Sequence, residues 1–271
     1  MNPSAFDGIP GLQDFTLVQI EIWLLVLIRV SVLMFLLPIL STEEIPTRLK
    51  AGLSFFLSII LFPTLPDLSI GIPSSMPAYV FLALKEIYIG AVMGFAGTFL
   101  FAGVRFAGAW IDSETGFNMT QIMNPMAGEE DTALAHLLFI LFVLLMLATS
   151  GHFFFLQAMA ESFRLVPVAD AHMASGGMVA AFTALTTGTF LMGMKVAAPV
   201  VATLFISSVA LAIIARIMPQ MNVWMVGMPM KIALGMATLM ISLPLMWQAF
   251  LKEQGSLQAY WIGLMRLMGG A

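Results

Sequence analysis

The side chains that could do acid, base or metal chemistry are few and poorly placed for it. The three histidines, His136, His152 and His172, lie 16 and 20 residues apart, and no carboxylate stands at a spacing that would orient them as metal ligands. The chain has no cysteine and no G-x-S-x-G, H-E-x-x-H or G-x-G-x-x-G motif. We therefore expect no catalytic residue, no metal and no cofactor, and we expect the histidines to be buried and hydrogen-bonded.

Two charged residues, Glu21 and Arg29, interrupt a long apolar stretch near the start of the chain. They are eight residues apart, which places them on roughly the same side of a helix. Such residues within a membrane form either a proton or ion pathway or a pair with another helix. We favour pairing between helices, because cation-driven transporters usually place more acidic residues at depth.

A long stretch in the C-terminal part of the chain has basic residues without acidic ones. From Ala171 to Leu251 there is no Asp or Glu, whereas Lys195, Arg216 and Lys231 are all present. A charge at a bilayer centre costs about 2.5–3.5 kcal/mol even on a lenient insertion scale, so we expect the counter-charges to come from other chains. The residues predicted to be available for charge contacts between subunits are Glu21, Arg29, Arg105, Lys195 and Lys231.

The composition excludes a water-soluble domain. Of the 271 residues, 60% are hydrophobic and 10% are charged, and the mean hydropathy is +0.99. Soluble domains carry about 25% charged residues, so most of this surface must face lipid or protein. The net charge is −4 and the 11 basic residues are scattered, which argues against nucleic acid as a partner.

Apolar stretches of about 20 residues, the length that spans a bilayer, divide the chain into predicted helices. The first runs from Phe15 to Leu40, and a shorter one from Ala51 to Leu65 is followed by a proline-rich loop. Ala78 to Val104 carries small residues at Gly90, Gly94 and Gly97, a spacing that favours close neighbouring helices. Thr132 to Ala160 can form one long helix, with a break at Gly151.

The stretch from Ser175 to Ala215 leaves two topologies open. As one helix it would be about 60 Å long, twice the thickness of the hydrocarbon core. Cutting it at Lys195 gives two spans and six or seven membrane helices in all. The alternative keeps two long helices, joined at residues 216–222 and bent at Pro199, Pro229 and Pro244, which stand partly outside the bilayer inside a protein assembly.

The most polar segment, Arg105 to Asp131, mixes acidic residues with bulky apolar ones. Its apolar side chains are too numerous to leave in water without cost. We therefore expect another part of the protein to bury this segment intermittently.

Several motifs resemble one family of membrane proteins, the type III secretion export-gate family called FliR in flagella and SctT in injectisomes. The motifs are R-I-M-P-Q-M-N-V-W at 216–224, G-M-P-M-K at 227–231, V-R-F-A-G at 104–108 and S-G-H at 150–152. The resemblance implies an all-α integral membrane protein of long bent helices and helical hairpins. Residues 1–174 would be a FliP-like part, and residues 175–271 a FliQ-like long hairpin.

The resemblance also implies partners. The chain would join FliP-type and FliQ-type subunits in the bacterial inner membrane, within the flagellar basal body, and pass unfolded protein cargo. An FlhA-type subunit and the basal-body ring would surround the assembly, and an FlhB-type subunit would lie near the cytoplasmic entrance. The hairpin tip facing that entrance would consist of Arg216, Pro219, Gln220 and Asn222.

A plug that closes the pore is the last feature implied by the resemblance. By position it falls on Ala109 to Met123, in a loop spanning about 105–131, and Gly116 would supply backbone freedom. The predicted plug residues are Trp110, Gly116, Phe117, Asn118, Met119 and Met123.

Two other functions remain as alternatives. The stronger is a small-molecule or ion secondary transporter, which would work as a monomer or homodimer. The weaker is an intramembrane enzyme, which would need a nucleophile and a base within hydrogen-bond reach.

Overall fold

A computed structural model describes residues 17–40, 45–65, 75–117, 132–168, 177–220 and 222–269. Within these ranges the chain forms helices and no strands, which confirms the prediction of an all-α protein. The helices are α1 (Leu17–Leu36), α2 (Thr47–Leu61), α3 (Met76–Thr115), α4 (Ala133–Ala148), α5 (His152–Leu165), α6 (Gly177–Ile217) and α7 (Val223–Gly269), with a 3₁₀ turn at Phe62–Thr64.

Proline and glycine mark several of the helix boundaries. The helix α2 begins directly after Pro46, and Pro63 lies in the 3₁₀ turn that follows it, because proline fits a helix start but removes an internal hydrogen bond. Between α4 and α5 the chain breaks at 149–151, where Ser150 has a φ of +60°. A Cβ at Gly151 would lie 2.7 Å from Cγ of Met146. The predicted break at Gly151 is therefore confirmed.

The C-terminal third forms two uninterrupted long helices. The helix α6 has 41 residues and continues through Lys195 and Pro199, and α7 has 47 residues and continues through Pro229 and Pro244. The division at Lys195 into two spans is not observed. In the described residues four helices, or five if α4 and α5 form one broken span, are long and apolar enough to cross a membrane, fewer than the six or seven of the divided topology.

The chain separates into two compact units built from alternating segments. The first contains the described residues of Met1–Thr98, Phe153–Ala181 and Tyr260–Ala271, and the second those of Phe99–His152 and Phe182–Ala259. The predicted division at residues 174 and 175 concerns resemblance to two other subunit types, and it stays a prediction.

Close helix packing organises the first unit. A Cβ at Gly90 would lie 2.8 Å from the carbonyl oxygen of Arg29, and one at Gly94 would lie 2.5 Å from Cβ of Leu36. Both positions therefore bring α3 against α1, and the predicted close neighbour of the glycine face is confirmed.

An aromatic cluster forms part of the core of the second unit. The rings of Phe142 and Phe250 are 5.1 Å apart, and Trp247 stacks on Phe250 at 5.2 Å. Phe101 and Phe139 extend this cluster onto α3 and α4. The cluster packs α7 against both of these helices and so helps to position the candidate site described next.

Candidate functional site

A recess in the second unit lies where α3 ends beside the α6–α7 hairpin. Its volume is about 330 Å³. It is lined by residues 113–116 at the end of α3, by residues of the last turns of α6, and by Trp224, Met228 and Lys231 of α7. The recess therefore brings the start of the predicted plug next to the part of the hairpin that leads to the predicted tip.

Lys231 links α7 to the end of α3 in this recess. Its Nζ donates a hydrogen bond to the carbonyl oxygen of Glu114 at 3.3 Å. The last carbonyl groups of a helix lack partners within the helix and carry partial negative charge, so a cation at the end of α3 is stabilising. Lys231 was predicted to contact another subunit, but the structure gives it a partner within its own chain.

The end of α3 is shaped by two glycines. Gly116 has a φ of +86°, which glycine adopts without the steric penalty that other residues meet, and its N–H donates to the carbonyl of Asp112 at 2.9 Å. A Cβ at Gly116 would lie 3.3 Å from Cε of Met228, and one at Gly235 would lie 2.8 Å from Cγ2 of Thr115. Gly116 thus adopts a backbone conformation that favours glycine, and its role in a plug stays a prediction.

The helix α3 extends into the segment that was predicted to be a loop. The helix α3 continues to Thr115, so residues 105–115 of the predicted loop are helical. In the last turns of α3 the polar side chains of Asp112 and Thr115 are buried together with the apolar side chain of Ile111. Trp110 is therefore a half-buried helix residue, whose ring lies 6.1 Å from that of Phe106.

The other predicted plug residues are only partly described. Phe117 follows Gly116 and is exposed. Asn118, Met119 and Met123 lie outside the described residues. Their role as a plug stays a prediction.

Asp112 is a site residue that the sequence patterns did not single out. Its Oδ2 accepts hydrogen bonds from the backbone N–H groups of Leu134 at 2.7 Å and Ala135 at 3.4 Å. The side chain is fully buried, and it joins α3 to the first turn of α4. No local signal pointed to this bond, because the partners are 22 and 23 residues away in the chain.

The four predicted tip residues form the exposed turn between α6 and α7. Arg216 lies in the last turn of α6, and Pro219 and Gln220 follow it with exposed side chains. Asn222 is also exposed, and its Oδ1 accepts a 3.4 Å hydrogen bond from the N–H of Met225 at the start of α7. The tip is therefore accessible within this chain.

Arg29 is satisfied within the first unit, contrary to its predicted role between subunits. Its Nε donates to Oε2 of Glu86 at 2.6 Å, and its Nη2 to Oε1 at 3.2 Å. Its Nη1 donates to the carbonyls of Ser162 at 3.2 Å and Val166 at 2.9 Å. For Arg29 the favoured pairing between helices is confirmed, and its partner is Glu86 of α3.

The remaining predicted charges differ in their surroundings. Glu21 is exposed, and its backbone carbonyl accepts a 3.0 Å hydrogen bond from the hydroxyl of Tyr79. The guanidinium of Arg105 lies 4.3 Å from the ring centre of Phe139, and Lys195 is exposed. Glu21 and Lys195 thus remain accessible to other subunits.

The histidines do not assemble into a site. His136 is exposed, so its predicted burial is wrong; it lies on the outer side of the first turn of α4. His152 is half-buried at the start of α5, and His172 lies outside the described residues. Across the part of the chain that the structure describes, no group of three or more His, Asp or Glu side chains could hold a metal ion.

Comparison with known proteins agrees with the sequence motifs. The model of the family described as bacterial export proteins, family 1, matches residues 20–256. The flagellar biosynthetic protein FliR of Bacillus subtilis (strain 168) is 31% identical over 224 residues, which cover 81% of this chain and 85% of the relative. FliR of Escherichia coli (strain K12) is 30% identical over 222 residues, covering 81% and 83%. FliR of Aquifex aeolicus (strain VF5) is 30% identical over 218 residues, covering 80% and 83%. The chain therefore belongs to family 1 of the bacterial export proteins, the family of the flagellar biosynthetic protein FliR.

Proposed function

We propose that this chain is a subunit of the flagellar type III export gate, where it forms a gated channel together with FliP-type and FliQ-type subunits. Unfolded flagellar proteins would pass through this channel. The chain is a membrane component of the flagellar export apparatus, as its family and its apolar helices indicate. The proposal places it in the bacterial inner membrane, within the flagellar basal body.

The length and exposure of α6 and α7 are the observation that carries the proposal. At 1.5 Å per residue they extend about 60 and 70 Å, whereas the hydrocarbon core is about 30 Å thick. In the most apolar stretch of each helix only 22% of the residues are buried within this chain. Lipid tails can cover only part of such helices, so the remaining apolar surface needs protein neighbours.

The exposed hairpin turn suits a contact with an additional subunit. We place the FlhB-type partner there, near the cytoplasmic entrance, and the FlhA-type subunit and the basal-body ring around the assembly. The exposed side chains of Glu21 and Lys195 are the two predicted inter-subunit charges that remain accessible for contacts with the FliP-type and FliQ-type subunits.

The chemistry expected of such a conduit is nonspecific. An unfolded chain presents every type of side chain in turn, so tight binding of any one type would stall it. A seal of flexible apolar side chains suits this task, because methionine adapts to varied surfaces. In this proposal the plug begins after Gly116 and includes Phe117 and Met119, and export energy comes from other components.

Replacement of residues 118–126 by a glycine-serine linker of equal length tests the plug. The linker starts beyond α3, so it leaves the buried residues of that helix unchanged. In cells that co-express the partner subunits, we expect the membrane to become permeable to small molecules while the assembly still forms. Unchanged permeability in an assembled complex would show that the barrier lies elsewhere.

The transporter alternative makes a different prediction for the chain without its partner subunits. A secondary transporter that works alone would keep its substrate uptake without partner subunits, and it would show saturable binding of a small solute. Such binding by the isolated chain would contradict the proposed gate function.

A further inference from the structure

The short helix α2 carries polar side chains on its inner face and bulky apolar side chains on its outer face. We propose that this outer face contacts the acyl chains of the lipid bilayer, and that the pair α1 and α2 anchors the chain in lipid. The inference goes beyond the proposed function, because it assigns one surface to lipid and holds whichever subunits cover α6 and α7.

The inner face of α2 consists of Lys50, Ser54 and Ser58, which are 6%, 0% and 0% exposed. The serine hydroxyls are satisfied within the helix: Ser54 Oγ donates to the carbonyl of Lys50 at 2.8 Å, and Ser58 Oγ donates to that of Phe55 at 2.7 Å. Small residues four positions apart let two helices approach closely. The helix α2 packs against α1, where the rings of Trp23 and Phe55 meet edge-on at 5.4 Å. The inner face of α2 is therefore the one that packs within the chain.

The outer face of α2 is the reverse of a water-exposed helix surface. Six large apolar residues of this 15-residue helix are exposed: Leu49, Leu53, Phe55, Phe56, Ile59 and Ile60. Leu49, Phe56 and Ile60 are 63%, 64% and 64% exposed. Soluble proteins rarely leave such a patch in water, whereas polar residues of membrane helices turn toward the protein interior. A helix that hides serine and exposes leucine and phenylalanine therefore fits an apolar solvent.

Residue size distinguishes lipid from a partner helix on this face. Helices in membranes pack against each other through small residues, and the first unit follows this rule. Gly90 and Gly94 of α3 contact α1, and Ser54 and Ser58 form the inner face of α2. The outer face instead presents branched and aromatic side chains. Gly52 lies among them, and a Cβ there would meet no atom of the chain within 4 Å. Such a face fits fluid acyl chains better than the surface of another helix.

The lengths of α1 and α2 match the bilayer. The helix α1 extends about 30 Å, and α2 together with the 3₁₀ turn Phe62–Thr64 extends about 28 Å, close to the hydrocarbon thickness of about 30 Å. The helices α3, α6 and α7 have 40, 41 and 47 residues and exceed that thickness. Arg48 is exposed in the first turn of α2, and a cationic side chain at the end of a membrane helix reaches the lipid headgroups. Length and charge therefore agree with a start of α2 at the bilayer surface.

Spin labels on single cysteines test what covers the outer face, because the chain has no native cysteine. Labels are attached to L49C, L53C and F56C, and each variant is assembled with cysteine-free FliP-type and FliQ-type subunits in vesicles of phosphatidylethanolamine and phosphatidylglycerol. Electron paramagnetic resonance then measures how often each label collides with oxygen, which concentrates in hydrocarbon, and with a water-soluble nickel complex. A label at Q220C, in the exposed turn between α6 and α7, gives the aqueous reference.

We expect the ratio of oxygen to nickel collisions to rise from position 49 through 53 to 56, because these positions advance about 10 Å along α2 toward the bilayer centre. All three ratios should exceed the ratio at position 220. Low collision rates with both reagents at positions 53 and 56 would mean that another subunit covers the face. Ratios equal to that at position 220 would mean that the face meets water. Either result would overturn the proposal.

Enlargement of Gly52 gives a second test that needs no label. Fluid acyl chains accommodate a larger side chain, so G52L should leave the yield of the assembled complex unchanged. The matched control is G94L, which should reduce that yield strongly, because a Cβ at Gly94 would lie 2.5 Å from Cβ of Leu36. An equal loss of the complex in G52L would show a close protein neighbour on the outer face of α2 and contradict lipid contact.

Discussion

Arg29 of α1 and Glu86 of α3 form a two-point ion pair whose side chains are 1% and 0% exposed. The guanidinium also lies 4.3 Å from the ring centre of Phe163 and donates to two carbonyls, those of Ser162 and Val166. One side chain thus connects three parts of the first unit, and its remaining N–H groups bind backbone atoms that cannot change charge.

For the Arg29–Glu86 pair we expect single replacements to be more destabilising than the double replacement. Removing one partner leaves an uncompensated buried charge, which costs about 3–5 kcal/mol, so R29M and E86M should each strongly reduce the amount of folded protein. The double variant R29M/E86M should recover much of the loss, since no charge is left buried. The measurement is the yield and melting temperature of the complex purified with its partner subunits.

The charge swap R29E/E86R gives the sharpest form of this test. A carboxylate at position 29 would face the carbonyls of Ser162 and Val166, so the swap should stay as unstable as either single variant. The exposed Arg164 provides the control, because surface pairs contribute about 0–1 kcal/mol and R164M should be near wild type. Full recovery by the swap would mean that those carbonyl contacts contribute little.

Gly90 predicts that the contact of α1 with α3 tolerates no side chain. A Cβ there would lie 2.8 Å from the carbonyl oxygen of Arg29, whereas a Cβ at Gly263 would have open space within this chain. G90A should destabilise the protein although alanine favours helices by about 1 kcal/mol over glycine. G263A should be neutral or stabilising. Equal melting temperatures for the two variants would contradict the close approach.

The tip predicts a functional effect that differs from a stability effect. Arg216 and Arg266 are both exposed and lie in the last turns of α6 and α7. Charge reversal at either removes a favourable interaction with the helix dipole, about 0.3–1 kcal/mol. R216E should in addition reduce partner assembly and swimming motility, while R266E should not. Normal motility of the R216E strain would remove the tip from the functional residues.

Replacement of Lys231 and of Lys195 by methionine should affect different properties of the protein. Lys231 donates to the carbonyl of Glu114, so K231M should lower stability by about 0.5–1.5 kcal/mol, the value of a typical hydrogen bond. Lys195 is exposed, so K195M should leave the stability of this chain unchanged and weaken its binding to partner subunits. Melting temperature and co-purification yield measure the two effects separately. A K195M protein that co-purifies normally would contradict its role between subunits.

Local sequence patterns predicted most of the helices but not their long-range contacts. The apolar stretches, the prolines and Gly151 are local signals, and they predicted helical segments and the break before α5. The sequence around Lys195 and Pro199 did not show whether α6 is one helix or two. A charged residue and a proline can occur in a bent continuous helix or at a break between two helices. In the structure α6 is one uninterrupted helix from Gly177 to Ile217.

The hydrogen-bond partners of the buried charged residues could not be predicted from the sequence, because they lie far away along the chain. Glu86 is 57 residues from Arg29 and Leu134 is 22 residues from Asp112, and no periodicity connects such positions. Lys231 was therefore expected to need a partner from another chain, and Arg29 was expected to pair with another helix whose residue was not identified. The partner of Arg29 is a carboxylate in the middle of α3, and the partner of Lys231 is a carbonyl oxygen near the end of α3.

The central claim is that other subunits cover the apolar helices of this chain, and native mass spectrometry tests it most directly. The full chain is expressed in membranes alone and together with FliP-type and FliQ-type subunits, and each sample is extracted in detergent. We predict a stoichiometric hetero-oligomer in the second sample and little folded protein in the first. A monodisperse, folded single chain that binds a small solute saturably and ignores both partners would contradict the account.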